Sequence, residues 1–185
     1  MAQQLYFIAI IPPDPIYTFA LAQKEYFREK YNSEAALKSP PHITLHMPFR
    51  LKVKREESLI QQLRQLAKRH KIFELEVQGY GAFEPRVIYL TISKPEMLTS
   101  LQKELEKLMR KTMNIFNANY KDQFFHPHLT VAFRDLKKTT FYEAWREYES
   151  KDYYAQFKVV SFALLKHDGK QWQKCETLWL RNAEH

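Results

Sequence analysis

A single cysteine among 185 residues rules out an internal disulfide: Cys175 has no partner in the chain, which fits a reducing compartment. Long apolar runs are missing as well. The stretch from Leu5 to Ile11 is the longest near the start, no basic residue precedes it, and it is too short for the core of a signal peptide. Nothing approaches the roughly 20 apolar residues that a membrane span needs. Low-complexity segments and long linkers are also absent, so residues 1–185 read as one bilobal unit rather than separated modules. These absences lead to the expectation of a cytoplasmic monomer with no membrane partner. Hydrophobic residues at 45% and aromatic ones at 15% supply ample core and exclude a disordered chain. The net charge of +8 suits a partner rich in phosphate. Lysines and arginines spread over the helical segments would, however, give the same sum as ordinary solvated faces.

The periodicity predicts alternating strands and helices. Residues 5–11, "LYFIAII", read as a buried strand stopped by Pro12-Pro13. Asp14 and Pro15 serve as N-cap and first-turn proline of a helix reaching about Tyr31, with Ile16, Phe19, Ala20 and Phe27 on one side. A second helix carries Leu59, Ile60, Leu63, Leu66 and Ala67 along one face. Strands at 72–78 and 87–92 are joined through "GYGAFEP". A third helix begins behind a Ser93/Glu96 capping box, and a fourth is expected over about 139–150. Finally "FKVVSFALLKH" and "QWQKCETLWL" read as two strands around an Asp168-Gly169 turn. The predicted class is α+β: two pseudo-symmetric lobes whose antiparallel sheets line a central cleft, with helices outside.

Two segments stand out because they repeat. "PPHITLHMPF" at 40–49 and "HPHLTVAF" at 126–133 each contain Pro, His, an apolar residue, Thr and another apolar residue. Both sit in strands at equivalent places in the element order. A strand sends alternate side chains to opposite faces, so His42, Thr44 and His46 share one face, and His126, His128 and Thr130 share another. Imidazole titrates near neutrality, so one histidine can take a proton while the other gives one. Placed on opposite sides of a phosphorus centre, the two would serve the attacking and leaving oxygens, while threonine hydroxyls bond the non-bridging ones. This scheme calls for no cofactor and no metal.

The motifs His42-Ile43-Thr44-Leu45 and His128-Leu129-Thr130-Val131 resemble those of the 2H phosphoesterase superfamily, which includes 2'-5' RNA ligases and 2',3'-cyclic phosphodiesterases. The likeness extends to the opening strand, the strand "RVIYL" and the closing hairpin. It implies one motif per lobe around a pseudo-twofold axis, and opening of a 2',3'-cyclic phosphate to a 2'-phosphate or joining of a 2'-5' linkage. It also makes His42 and His128 the acid–base pair and Thr44 and Thr130 the phosphate ligands. The expected partner is an RNA or nucleotide phosphodiester. A module that binds RNA or a nucleotide without turnover is the alternative.

Further candidates surround these four. Arg86, Arg134 and Lys166, each near a strand end, are expected to meet substrate phosphates, with His46 and His126 at the cleft rim. A four-imidazole metal site from His42, His46, His126 and His128 is the competing chemistry. It would leave the threonines without purpose, and no carboxylate or cysteine accompanies it. Tyr120, Phe124 and Phe125 offer rings for base stacking, though packing explains them equally well. His70, His167, His185 and Cys175 are given no role.

Overall fold

In the computed structural model, residues 2–116 and 124–182 are described. Their strands are β1 (Gln3–Ile10), β2 (Ile43–Lys52), β3 (Phe73–Phe83), β4 (Val87–Ile92), β5 (His128–Ala132), β6 (Tyr154–Val159), β7 (Ser161–His167) and β8 (Trp172–Trp179). The helices are α1 (Ile16–Tyr31), α2 (Glu56–Arg69), α3 (Glu96–Leu108) and α4 (Lys138–Tyr148), with a short 3-10 turn at Ala35–Lys38 and a π turn at Met109–Met113 closing α3. Tyr120 and His185 lie outside the described residues. No described helix is long and apolar enough to cross a membrane.

The strands form one curled sheet in the order β6-β3-β4-β5-β2-β1-β7-β8, with every neighbouring pair antiparallel. Its two four-stranded halves meet at the motif strands, where Ile43 pairs with Leu129. The α+β class and the two-lobed arrangement are those expected, but the chain distributes its strands differently. "FKVVSFALLKH" is not one strand. It breaks at Val160, so that β6 completes the half containing β5 while β7 and β8 complete the half containing β2. The C-terminal hairpin therefore finishes the N-terminal lobe, and β3 crosses to the other. Strands far apart in the sheet order but consecutive in the chain require the sheet to curl. The carbonyl of Val160 accepts from the Leu180 N–H at 3.0 Å where the two ends approach.

The described helices cover one face. The apolar sides of α1, α2, α3 and α4 enter a continuous core with Tyr6, Ile8, Ile10, Ile43, Leu45, Ile88, Leu90, Leu129 and Val131 from the strands. On α2 the buried residues are those the helical spacing predicts. α1 packs behind β5 and α3 behind β2, so each motif strand is backed by the other half's helix, which locks the lobes together. The opposite face carries a small cluster of Phe7, Ala9, Ala163 and Leu165, and it is there that the motifs present their polar side chains.

Local signals differ in two places. Ser93 and Glu96 form no capping box: Pro95 occupies the N-cap, and the Ser93 hydroxyl accepts from the Glu76 N–H at 2.8 Å, tying β3 to the end of β4. Pro15 rather than Asp14 is the N-cap of α1, while Asp14 Oδ1 accepts from the Thr18 N–H at 3.1 Å. β3 extends through "GYGAF". Gly79 adopts φ +61 within the register shift that follows Val77, a conformation that favours glycine.

Candidate active site

Along both motifs exposure alternates: His42, Thr44, His128 and Thr130 are partly exposed, while Ile43, Leu45, Leu129 and Val131 are buried. The two polar stripes thus lie on the helix-free face of adjacent central strands. Continuing the antiparallel Ile43–Leu129 register by one residue either way sets His42 across from Thr130 and Thr44 across from His128. Each imidazole then has the other motif's hydroxyl as its direct neighbour, with Cβ atoms about 5 Å apart, and the two histidines stand on a diagonal of about 7–8 Å.

Both imidazoles are anchored in the same way. His42 Nδ1 bonds the Pro40 carbonyl at 2.7 Å, and His128 Nδ1 bonds the His126 carbonyl at 2.7 Å. A carbonyl only accepts, so Nδ1 carries the proton in each ring. Nε2 is left as the nitrogen that titrates. An aromatic ring backs each imidazole: Phe7 lies 4.8 Å from His42 at 53°, and Tyr89 lies 5.1 Å from His128 at 54°. Trp172 meets Phe7 edge-on at 4.6 Å, and Phe83 packs 5.0 Å from His128. Burial among these rings holds the His42 pKa down to about 3, with the charges of Lys24 and His128 adding to the effect and the Pro40 bond opposing it. The His128 pKa is also lowered, chiefly by burial. The fold therefore disfavours a charged imidazole here unless a nearby anion balances it.

Other candidates divide. His126 lies beside the second motif: its Nε2 and the Tyr89 hydroxyl share a 3.2 Å hydrogen bond, and its ring lies 6.2 Å from that of His128. Arg86 follows the turn after Phe83, and Arg134 lies two residues past β5 with its guanidinium 4.9 Å over Phe133. Both are exposed, and neither is ion-paired among the described residues. His46 and Lys166 are corrections. The β1–β2 register skips a residue between the pairs Ile8–His46 and Ala9–Thr44, and this bulge turns His46 to the core side, where it is 1% exposed and packs edge-on against Phe49. Strict alternation does not survive a bulge. The four-imidazole cluster is consequently not assembled, and no group of three or more metal-ligating side chains occurs among the described residues. Lys166 pairs with Tyr6, a helix-side residue, and its Nζ bonds Glu56 Oε2 at 2.7 Å. Phe125 is buried and Phe124 exposed.

Phe7, Tyr89 and Lys24 were not among the sequence candidates. The continuous apolar run "LYFIAII" conceals which residues face the open side, and Tyr89 is similarly concealed in "RVIYL". Lys24 had a visible signal: it falls on the apolar face of α1, between Ala20 and Phe27.

The curled antiparallel sheet thus carries one His-x-Thr motif on each of its two central strands. Residues 12–171 match the family described as the 2'-5' RNA ligase superfamily, and the chain belongs to it. A Bacillus cytotoxicus protein, provisionally named a phosphoesterase, is 31% identical over 156 residues, covering 83% of this chain and 86% of its own. A Geobacillus relative with a like name is 28% identical over 182 residues, covering 97% and 98%. Among solved structures, a Thermus thermophilus protein superposes with TM-score 0.70 at 18% identity, over 97% of this chain and 100% of that one. Escherichia coli LigT complexed with 3'-AMP superposes with TM-score 0.65 at 19% identity, over 97% and 99%.

Proposed function

We propose that this phosphoesterase opens 2',3'-cyclic phosphate ends of RNA or nucleotides to 2'-phosphates, and that the same site can act on a 2'-5' phosphodiester in either direction. The observation that supports this most is the matched pair of anchored imidazoles, each with a free Nε2 and a hydroxyl opposite. Water attacks phosphorus as one Nε2 takes its proton. The P–O3' bond breaks, and the departing oxygen receives the proton of the other, charged imidazole. Thr44 and Thr130 donate to the non-bridging oxygens, where negative charge accumulates. Arg86 and Arg134 reach neighbouring phosphates of a longer substrate, and His126 with Phe83 borders the second motif. That LigT has been crystallised with 3'-AMP and with phosphate supports a nucleotide-sized ligand.

The test is turnover of a 2',3'-cyclic nucleotide in the presence of chelator by wild type, His42→Ala and His128→Ala. Each substitution should cost about 10²- to 10⁴-fold in rate. Variants as fast as the wild type would refute the acid–base pair. Salt-sensitive binding without product would favour the binding module instead.

A further inference from the structure

The first lobe gathers cations at one end of its open face. Phe7 lies on that face, so Leu5, two residues earlier on β1, lies there too. Leu5 pairs with Arg50 and Gln3 with Lys52 on β2, while Phe7 pairs with Leu165, and Leu165 with Lys174 on β8. Partners across an antiparallel sheet share a face. The register therefore brings Arg50, Lys52 and Lys174, all exposed, to the same side of the sheet end. Gln3, Arg50, His167 and Lys174 line a hollow of about 900 Å³ there.

The fold supplies these cations with no counter-charge. Every ion pair among the described residues involves a side chain of α1, α2, α3 or α4, and none includes Arg50, Lys52 or Lys174. Lys166, at the edge of the hollow, is held by Glu56 of α2. The carboxylate that borders the hollow, Asp168, is occupied within its own turn. Its Oδ1 accepts from the N–H groups of Lys170 and Gln171, both at 2.8 Å, and its Oδ2 from Gln173 Nε2 at 2.9 Å. The Gly169 N–H donates to His167 Nδ1 at 3.1 Å. The neutral His167 ring thus carries its proton on Nε2 and offers a donor there, the reverse of the motif histidines.

A row of rings joins this hollow to the motifs. Trp172 meets His167 edge-on at 4.9 Å and Phe7 at 4.6 Å, and Phe7 lies 4.8 Å from His42. Along β1, Leu5, across from Arg50, and Ala9, across from Thr44, stand four residues apart, or ~13 Å. One phosphate cannot touch both places, but one strand can. We propose that the hollow is a second nucleic-acid subsite: Arg50 and Lys174 hold a backbone phosphate of a single-stranded RNA whose scissile phosphate lies between the motifs. His167 donates from Nε2 to the same backbone, and half-buried Trp172 is the surface over which an intervening base lies. The position of the scissile phosphate rests on the phosphoesterase reading; the hollow, its cations and its rings do not. Arg86 and Arg134 belong to the other half of the sheet, so a phosphodiester with nucleotides on both sides meets cations on both. An oligonucleotide rather than a mononucleotide is then the ligand that fills the open face.

The experiment measures binding by fluorescence anisotropy at several salt concentrations. The probe is an RNA octamer with one central 2'-5' linkage from a 3'-deoxynucleoside, which lacks the hydroxyl that would close a cyclic phosphate; the matching dinucleotide is the short ligand. The wild type should bind the octamer about tenfold or more tighter than the dinucleotide. Arg50→Ala and Lys174→Ala should each weaken octamer binding on the order of fivefold and lower its salt slope by about 0.7, with a smaller effect on the dinucleotide. Lys103→Ala removes the same charge from the exposed side of α3 and should match the wild type. A wild-type protein that binds both ligands equally refutes the subsite whatever the variants do. Equal losses for the two ligands, or an equal loss in Lys103→Ala, refute it too. So does displacement of the octamer by a polyglutamate peptide of the same charge as readily as by unlabelled octamer. Length-dependent binding that needs Arg50 and Lys174, in a protein that does not turn over a cyclic nucleotide, upholds the subsite and removes the phosphoesterase reading. Turnover without length dependence does the reverse.

Discussion

Gly81→Ala should damage the site without touching any residue that meets phosphate. Gly81 pairs with Tyr89 across β3 and β4. A Cβ built on it would stand 2.5, 2.7 and 2.8 Å from Tyr89 Cε2, Cζ and the hydroxyl oxygen. No positive φ is needed at Gly81, so the contact with the ring is the reason for glycine there. The ring has little room to retreat: Phe83 lies 4.6 Å from it, His128 5.1 Å, and its hydroxyl bonds His126. Overpacking of this kind costs about 1–3 kcal/mol. In a chain of this length that should lower the Tm by roughly 2–12 °C. Displacing Tyr89 also removes the backing of His128, so turnover should fall. In a Tyr89→Leu background the same Gly81→Ala change should cost far less, because the atoms it strikes are gone. Thermal melts and cyclic-nucleotide turnover of the four proteins check this. A single variant as stable and active as the wild type, or an equal penalty in both backgrounds, would refute the reasoning.

Acid should destabilise the fold. His42 and His128 have folded pKa values below the ordinary histidine value, as does His46, so the unfolded chain binds more protons once pH falls below about 6.5. Stability present above that pH is therefore lost on acidification toward pH 3, and His42→Gln should flatten the fall in denaturant midpoint against pH. Lys166→Ala should leave KM for a cyclic nucleotide unchanged, since the ammonium faces Glu56 rather than the site, and should cost about 0–1 kcal/mol in stability by urea titration. Arg86→Ala and Arg134→Ala should raise KM for an RNA oligonucleotide more than for a mononucleotide, and each should reduce the salt dependence of binding by about one counterion. Equal effects on both substrates would place the two arginines outside the phosphate path.

How legible the site was in the sequence follows from what each signal encodes. The duplicated Pro-His-apolar-Thr pattern is local, and strand alternation alone puts its imidazole and hydroxyl on one face. The structure keeps that arrangement in both copies. His46 failed because a bulge is set by pairing with β1, which alternation along β2 does not contain. Lys166 failed similarly: the side of the sheet it takes is fixed by its pairing with Tyr6 and by the arrival of Glu56 at the start of α2. The exchange of C-terminal strands between lobes was hidden because "FKVVSFALLKH" has no turn residue at Val160 where the chain passes from one half-sheet to the other. A lysine on an apolar helix face, by contrast, is readable in advance as an interior cation, although its partners belong to a distant turn.

The most direct measurement is a structure determined with inorganic phosphate or a nucleoside 2'-phosphate bound. One phosphorus atom should lie between residues 42 and 128, its oxygens within hydrogen-bond distance of both Nε2 atoms and of the Thr44 and Thr130 hydroxyls. A phosphate seated elsewhere, such as in the hollow bounded by Arg50, Lys166 and Gly169, with the two histidines untouched, would contradict the account.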